Sequence, residues 1–433
     1  MIFSVIVCFV TCILMLVGVL KFPKISIGIM YADSYWVITL VGALILIVTG
    51  QGKLSYIWES LTADTAINPL KILTLFICMT ILSIYLDEMG FFRFLASWVL
   101  GHAKTNQKKL FVYLYLIVSV LTVFTSNDVI ILSFTPFICY FAKNAKISPI
   151  PYLAAEFVAA NTWSMALIIG NPTNIYLASA YGIGFAEYTK TMLLPTLFAG
   201  VVAFVALYLC FGHLLKAPIQ AEPKKQVLED KLRLFIGIAH LLCCTVLLAI
   251  SSYIGVEMYL VSLLSVVSLF LCVSAVSVVR RRPPTAFLVS VRRAPWQLVP
   301  FILSMFVMIL VLGEKGVTSY IATLLGESFT VALYGFASFF SANIINNIPM
   351  SVLFCSVIEN IPTALRESAV YATVIGSNIG AFLSPIGALA GIMWSSILSM
   401  HGAGFFLSDF LRMGVRVALP TMCAALLALS FVI

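Results

Sequence analysis

Long apolar runs alternate with short polar segments along the whole chain, and the runs are of two kinds. Runs continuous enough to cross a bilayer as helices of about 17 to 25 residues begin near residues 2, 35, 69, 152 and 190, and again near 233, 257, 296, 367 and 408. Between the third and fourth run of each five lies a different object. The stretches 110–142 and 329–358 are apolar but broken midway, the first by Thr125, Ser126, Asn127 and Asp128, the second by Asn343, Asn346, Asn347 and Pro349. Each arm of about 15 residues or fewer reaches about 22 Å at helical rise, short of a hydrocarbon core of about 30 Å. This predicts re-entrant hairpins. The fourth and ninth runs are broken as well, over 152–180 by Gly170-Asn171-Pro172-Thr173-Asn174 and over 367–393 by Gly376-Ser377-Asn378 and Ser384-Pro385-Ile386-Gly387. Pro172, Pro349 and Pro385 each remove an amide donor, while Gly170 and Gly387 free the backbone, so these five are the expected helix breaks.

The two halves are related. Placing Pro69 on Pro295 also pairs Met79 with Met305, Leu86 with Leu312, Glu88 with Glu314, Gly90 with Gly316 and Ala96 with Ala322. Six identities in one ungapped register indicate duplication, and an odd number of crossings per half inverts the second copy. The fold class predicted is an all-α membrane protein, an inverted repeat of five transmembrane helices plus one re-entrant hairpin each, ten spans and two hairpins in all. The first repeat covers 1–212, a charged cytoplasmic linker with Pro218 and Pro223 covers 213–232, and the second, inverted repeat covers 233–433. Short amphipathic pieces at 91–100 and 317–325 suit the interface.

Composition narrows the class. With 62% hydrophobic and 10% charged residues and a mean hydropathy of +1.10, the chain lacks the polar surface a soluble domain needs. Its net charge of +8 comes from loop residues: the threading puts 20 Lys and Arg on one side and 5 (Lys53, Lys71, Lys190, Lys315, Arg366) on the other. That split follows the positive-inside rule and removes any need for a nucleic-acid partner. It places both termini outside the plasma membrane, opens the first hairpin to the cytoplasm and the second to the exterior. The first twenty residues lack a basic leading region and a small-residue cleavage site, so they read as the first span. The ten cysteines lie in apolar segments without C-x-x-C spacing and read as core; the four histidines form no pair. No metal, cofactor or enzymatic active site is expected.

Polar groups at membrane depth are tolerated where protein or water surrounds them, so they mark sites. Asp128 is the single carboxylate the threading puts near mid-depth, where it must face water, pair with a cation or take a proton; it is the proton-coupling candidate, with an Asx cap as the bland alternative. Ser126, Asn127, Asn346 and Asn347 at the tips can cap backbone or bind solute, as can Asn343 and Ser341 nearer the arm. Asn171, Thr173, Asn174 and Ser384 line the breaks, whose free carbonyls and helix N-termini suit a cation or an electron-rich solute. Ser377 and Asn378 sit in a G-x-x-x-G that equally serves close helix packing; Asn161, Thr162 and Ser164 occupy the comparable stretch of the fourth span. Glu156 falls one turn inside that span near the cytoplasmic face, where solvation or the helix dipole accounts for it, a proton path being the alternative. Glu88 and Glu314 read as caps.

These residues resemble the arsenite/antimonite permease family, within a superfamily that also holds sodium-coupled dicarboxylate carriers and sodium/proton antiporters. The resemblance rests on LDEMGFF at Leu86, SNDVIILSFTP at Ser126, EFVAANTWSMALIIGNPTN at Glu156, RRAPWQ at Arg292, INNIP at Ile345 and GSNIGAFLSPIGALAGIMW at Gly376, and so spans the chain. It implies secondary export of arsenite or antimonite as the undissociated hydroxide, in exchange for protons or, in some members, with a cytoplasmic ATPase partner. It also implies a site made of Ser126, Asn127, Asp128, the Asn171 to Asn174 break, Asn346, Asn347, Ser377, Asn378 and Ser384. The dicarboxylate carriers carry Ser-Asn-Thr at both tips; here the first is Ser-Asn-Asp and the second Asn-Asn. A dianion beside Asp128 without a cation in the cavity is disfavoured. Sodium/proton antiport, or another ion or anion carrier of the superfamily, is the alternative. An intramembrane hydrolase would need a second acid or a histidine pair.

Overall fold

The computed structural model describes residues 1–433 apart from 23, 28–29, 65–67, 220–227 and 406. Part of the linker, including Pro223, therefore lies outside the described residues. The first half runs α1 (Ile2–Lys21), strands β1 (Lys24–Ile27) and β2 (Met30–Asp33), α2 (Ser34–Val48), α3 (Leu54–Thr62), α4 (Pro69–Glu88), α5 (Phe91–Ala103), α6 (Gln107–Phe124), α7 (Asn127–Ala145), α8 (Ile150–Trp163), α9 (Pro172–Ala180) and α10 (Phe185–Phe211). The second runs α11 (Lys231–Ile250), α12 (Met258–Arg280), α13 (Thr285–Arg293), α14 (Leu298–Glu314), α15 (Val317–Leu325), α16 (Thr330–Ile345), α17 (Asn347–Ile358), α18 (Thr363–Gly380), α19 (Leu389–Met400) and α20 (Leu407–Ser430). Helix for helix, the two halves follow one order.

Local chemistry explains the shared joints. Gly90 and Gly316, a pair from the sequence register, both adopt positive φ (78° and 74°) where a long helix hands over to a short one, a conformation glycine takes without steric cost. Asn68 caps α4 by accepting from the amides of Leu70 (2.9 Å) and Lys71 (3.4 Å), with Pro69 in the first turn where its missing donor costs nothing. The acids before α2 and α12 each reach a residue at the start of a long helix of the other half: Asp33 meets Gln297, and Glu257 pairs with Lys71 at 2.6 Å.

The halves interlock. α10 packs along α20, α2 against α14, α12 against α4, α7 against α19, and α17 against α9. Each second hairpin arm thus rests on the far piece of the other half's broken helix. α16 and α18 make the tightest contact: a Cβ on Gly376 would strike Ser338 and the Gly335 carbonyl, and one on Gly380 would meet the Phe339 carbonyl at 2.8 Å. The G-x-x-x-G here is a packing surface.

Among the described residues, seven helices are long and apolar enough to cross a membrane, and the breaks of the fourth and ninth runs fall between α8 and α9 and between α18 and α19. Two expectations need correction. The arms of the first hairpin are 18 and 19 residues long, or about 27 to 29 Å at helical rise, longer than the apolar stretch alone indicates. Its polar ends stay helical, Asn106 capping α6 through the Lys109 amide at 3.0 Å. The second hairpin has arms of 16 and 12 residues. The all-α class holds, with one addition the hydropathy does not indicate, a short antiparallel ribbon of β1 and β2. Finally, the short helices α3 and α13 were absent from the hydropathy reading; each is amphipathic and has one residue or two fully packed, Ile57 in the former and Phe287 with Ser290 in the latter.

The glycine contacts yield a stability test. Gly376→Val must push α16 and α18 apart and should cost about 1–3 kcal/mol of stability, read as a lowered melting temperature of the detergent-solubilised protein. Gly101→Ala, in α5 with open space around it, should leave melting unchanged or raise it slightly.

Candidate functional site

At the first tip, α6 stops at Phe124 and α7 restarts at Asn127. Ser126 takes the capping role, its hydroxyl accepting from the Val129 amide at 3.4 Å. The Asn127 side chain accepts from the Asp128 amide (2.9 Å) and donates to the Asn161 side-chain oxygen (3.1 Å), while the Asn161 side chain donates to the Phe157 carbonyl. With capping done by Ser126, the carboxylate of Asp128 is left over: it is half-buried and makes no hydrogen bond or ion pair among the described residues. Its place in the first turn of α7 is favoured by the helix dipole. Tyr35, at the start of α2, lies within its electrostatic range.

The second tip is stitched to its own broken helix. Asn346 sits at φ 72°, a strained backbone region for a residue with a Cβ. Its side chain donates to the Ile386 carbonyl (3.0 Å) and accepts from the Ile348 amide (3.3 Å). The Asn347 amide donates to the Gly387 carbonyl at 3.0 Å. Asn343 donates to the Phe339 and Gly380 carbonyls and accepts from the Ser384 hydroxyl at 2.5 Å. Gly387 is required by this closeness, since a Cβ there would meet the Gly380 carbonyl at 2.7 Å and Asn343 at 2.9 Å.

Asn378 joins the halves. Its oxygen accepts from the Ser164 hydroxyl and from Asn171, each at 2.9 Å, and its nitrogen donates to Asn174 (2.7 Å) and to the Val374 carbonyl (2.8 Å). That fills the four hydrogen-bonding places of a side-chain amide. Asn174 in turn holds the Ser164 and Leu167 carbonyls freed by the break, and Asn171 caps α9 through the Thr173 amide. Every residue of this knot is at most 1% exposed. Asn171, Asn174 and Asn378 therefore spend their side chains on one another.

Other buried polar atoms in the same segments have no partner: the hydroxyls of Thr162, Thr173 and Ser377 and the side-chain oxygen of Asn347, on residues at most 3% exposed. An orphaned buried polar atom costs about 1–3 kcal/mol, so each marks a place where a donor or a cation is welcome. Among the described residues the one buried cation is Arg233, whose guanidinium is taken by Ser277 (2.9 Å) and the Arg282 carbonyl (2.9 Å) at the start of α11. No group of three or more His, Cys, Asp or Glu side chains suited to a metal occurs there. A separate cavity of ≈ 200 Å³ opens beside Lys71, Gly184 and Glu257, between the end of α9 and the loop before α12.

Glu156 departs from expectation. It is fully buried rather than solvated, with both oxygens against the Thr135 hydroxyl (2.8 and 3.1 Å) and the Trp394 indole beside it. Asp128 is consequently not the single acid at depth. Sequence reading also passed over Thr135, Trp394 and Tyr35. A threonine directly before an intrahelical proline, Pro136, was the available signal for the first; an apolar run hides the second, and a tyrosine opening a span passes for an interfacial anchor.

Comparison with known proteins agrees with a carrier. A family model described as citrate transporter (CitMHS) matches residues 2–371. The chain is 28% identical over 421 residues to the arsenical pump membrane protein of Escherichia coli (strain K12), covering 91% of this chain and 92% of that one. It is 24% identical to the putative arsenical pump membrane protein of Bacillus subtilis (strain 168), covering 90% and 92%. The crystal structure of the Alcanivorax borkumensis YdaH transporter, described as having an unusual topology, aligns with a TM-score of 0.56 at 13% identity over 99% of this chain and 97% of that one. At that identity the likeness concerns the fold alone.

The knot around Asn378 makes its own prediction. Asn378→Ala strips partners from Ser164, Asn171 and Asn174 at once, and at about 1–3 kcal/mol per orphaned group it should lower the melting temperature by several degrees. Thr323→Ala, which removes one exposed hydroxyl bond on α15, should not.

Proposed function

The chain belongs to the citrate transporter (CitMHS) family of membrane transporters, and from that membership we propose that it exports arsenite or antimonite from the cytoplasm in exchange for protons. The observations that carry this reading are a carboxylate without a partner at the first tip, Asp128, and orphaned neutral oxygens on Thr173, Ser377 and Asn347 at the breaks and the second tip, with no buried cation among the described residues other than the engaged Arg233. A trivalent hydroxide brings hydroxyl donors and acceptors and no charge, and it meets such oxygens without a counter-ion. Citrate does not fit as well: a multiply charged anion beside Asp128 would be repelled with nothing to offset it. The relatives named arsenical pump membrane proteins support the same cargo.

In this reading the two halves, 1–212 and 233–433, are inverted copies joined by the 213–232 linker. Each contributes five spans and one re-entrant hairpin, and both termini lie outside. Asp128 alternates between a protonated form and a solute-competent form. Ser126, Asn127, Asn346 and Ser384 hold the tips and breaks in place, and Thr173, Asn347 and Ser377 face the solute. The Asn171, Asn174 and Asn378 knot keeps the broken helices aligned behind them. Protons entering down a 100 mV potential each supply about 2.3 kcal/mol, so one or two sustain useful export of a neutral solute. A cytoplasmic ATPase subunit, implied for some members by the resemblance to the arsenite/antimonite permeases, would be an additional drive.

Sodium/proton antiport is the second reading, favoured by the carbonyls gathered at the two breaks, which suit a hard cation. Everted vesicles separate the readings. Arsenite or antimonite should drive proton movement; sodium- or citrate-driven proton movement without an arsenite response would overturn the proposal. Asp128→Asn should abolish proton-coupled efflux with insertion unchanged. Asn347→Ala should raise the half-saturating arsenite concentration about tenfold, the equivalent of about 1.4 kcal/mol of lost contact.

A further inference from the structure

Glu156 is the one fully buried acid among the described residues that no salt bridge reaches. It projects from the middle of α8 into a seam formed by α7 and α19, and its surroundings are apolar or aromatic. Trp394 lies tilted against Phe157 at 4.9 Å and packs edge-on to Phe405 and Phe410 at 5.8 and 5.6 Å. The groups facing it from α7 are Thr135 and the Cys139 thiol; from α19 the Trp394 indole lies beside the carboxyl. From α6, α10 and α18, no described cationic side chain comes within ion-pair distance of it.

Two features of this setting point the same way. An ionised carboxylate in an apolar, lipid-surrounded interior must find a counter-ion or several donors, and Glu156 has no counter-ion among the described residues, only the neutral Thr135 hydroxyl and the Trp394 indole beside it. A neutral carboxylic acid, by contrast, can donate to and accept from that same hydroxyl, and both its oxygens lie within 3.1 Å of the Thr135 oxygen. The second feature is an asymmetry of the duplication. The spacing that carries Pro172 to Leu389 at the starts of α9 and α19 carries Glu156 to Thr373, and the spacing that carries Asn127 to Asn347 carries Asp128 to Ile348. Both deep acids belong to the first copy, and the second has lost or never had either. Asp128 and Thr135 are seven residues apart on α7, so they share a helix face two turns apart, at about 10 Å.

We propose that Glu156 is a second proton-carrying residue of the transport cycle, held in its neutral form between α7, α8 and α19 in this conformation and ionised when the first hairpin moves and water reaches it. One proton from the outside binds one carboxylate oxygen, and the same proton leaves to the cytoplasm; no other bond changes. Together with Asp128 this makes two protons per solute. The inference rests on the proton-coupled reading of Asp128, and it adds the residue that binds the second proton. Thr135 is a positioning residue for it.

The test has two arms on the full-length protein. Infrared spectroscopy of the purified carrier should show a protonated-carboxyl carbonyl band that disappears in Glu156→Gln and shifts in Thr135→Val. In vesicles, the ratio of protons to arsenite, two in the parent, should halve in Glu156→Gln while exchange of labelled arsenite across the membrane persists. An unchanged ratio, or a carbonyl band identical in parent and Glu156→Gln, overturns the proposal. If arsenite moves no protons even in the parent, the cargo assignment fails separately; the same ratio is then measured with sodium as the driving solute, and an unchanged value in Glu156→Gln still overturns a proton-carrying Glu156.

Discussion

Everything in this molecule depends on one constraint: a polar group surrounded by lipid-facing helices must be answered by another polar group of the same protein. Breaking a helix inside the membrane releases carbonyls and amides that water would otherwise satisfy. The chain answers them with asparagines. Asn174 holds the carbonyls of Ser164 and Leu167, Asn346 and Asn343 hold those of Ile386 and Gly380, and Asn378 closes the set by tying the first break to the second half. What the asparagines leave unanswered, on Thr173, Ser377 and Asn347, is the polar chemistry that the proposed export reading assigns to the solute.

The same constraint separates residues by task. A side-chain amide has four hydrogen-bonding places, and Asn378 uses all of them on protein. A ligand reaching it would have to displace a bond worth as much as the one it forms. A hydroxyl or carboxylate without a partner carries no such entry cost, which is why the proposed reading gives solute contact to the neighbours of the knot and not to the knot itself.

Much of the scaffold was legible in the sequence because membrane depth converts hydropathy into geometry. The interruption at Ser126 and Asn127, the break at Gly170 and Pro172, the short helix at Val317 to Leu325 and the glycine pair Gly90 and Gly316 all follow from a breaker or polar residue inside an apolar run. What hydropathy does not encode is partnership. Glu156 looked solvated because it lies near the start of a span, yet the helix it sits on is enclosed by α6, α7, α10 and α18. Likewise the arms of the first hairpin outran their apolar stretch because helix continues through Gln107 to Lys109 and through Lys143 to Ala145, where capping and solvated charge, not lipid, decide the end. The division between Asn378 as a structural tie and Ser377 as an open hydroxyl is one residue wide, and it depends on which side of α18 faces the other half.

The two hairpins are also unequal in how firmly they are held, and that inequality bears on which one moves. The second tip is bound to its own broken helix through Asn346 to Ile386, the Asn347 amide to Gly387, Asn343 to Gly380 and Ser384 to Asn343, and it spends strained backbone at Asn346 to do so. Among the described residues, the first tip is bound to its broken helix through the Asn127 to Asn161 bond, with the Thr135 to Glu156 contact two turns further along. Neutral hydrogen bonds contribute about 0.5–1.5 kcal/mol each, so releasing the first tip is the cheaper motion by several such bonds. Both deep acids ride on that cheaper seam, Asp128 at its open end and Glu156 within it. Protonation changes the charge on the seam itself, where a change of one or two bonds is enough to shift the balance between two arrangements of α7 against α8.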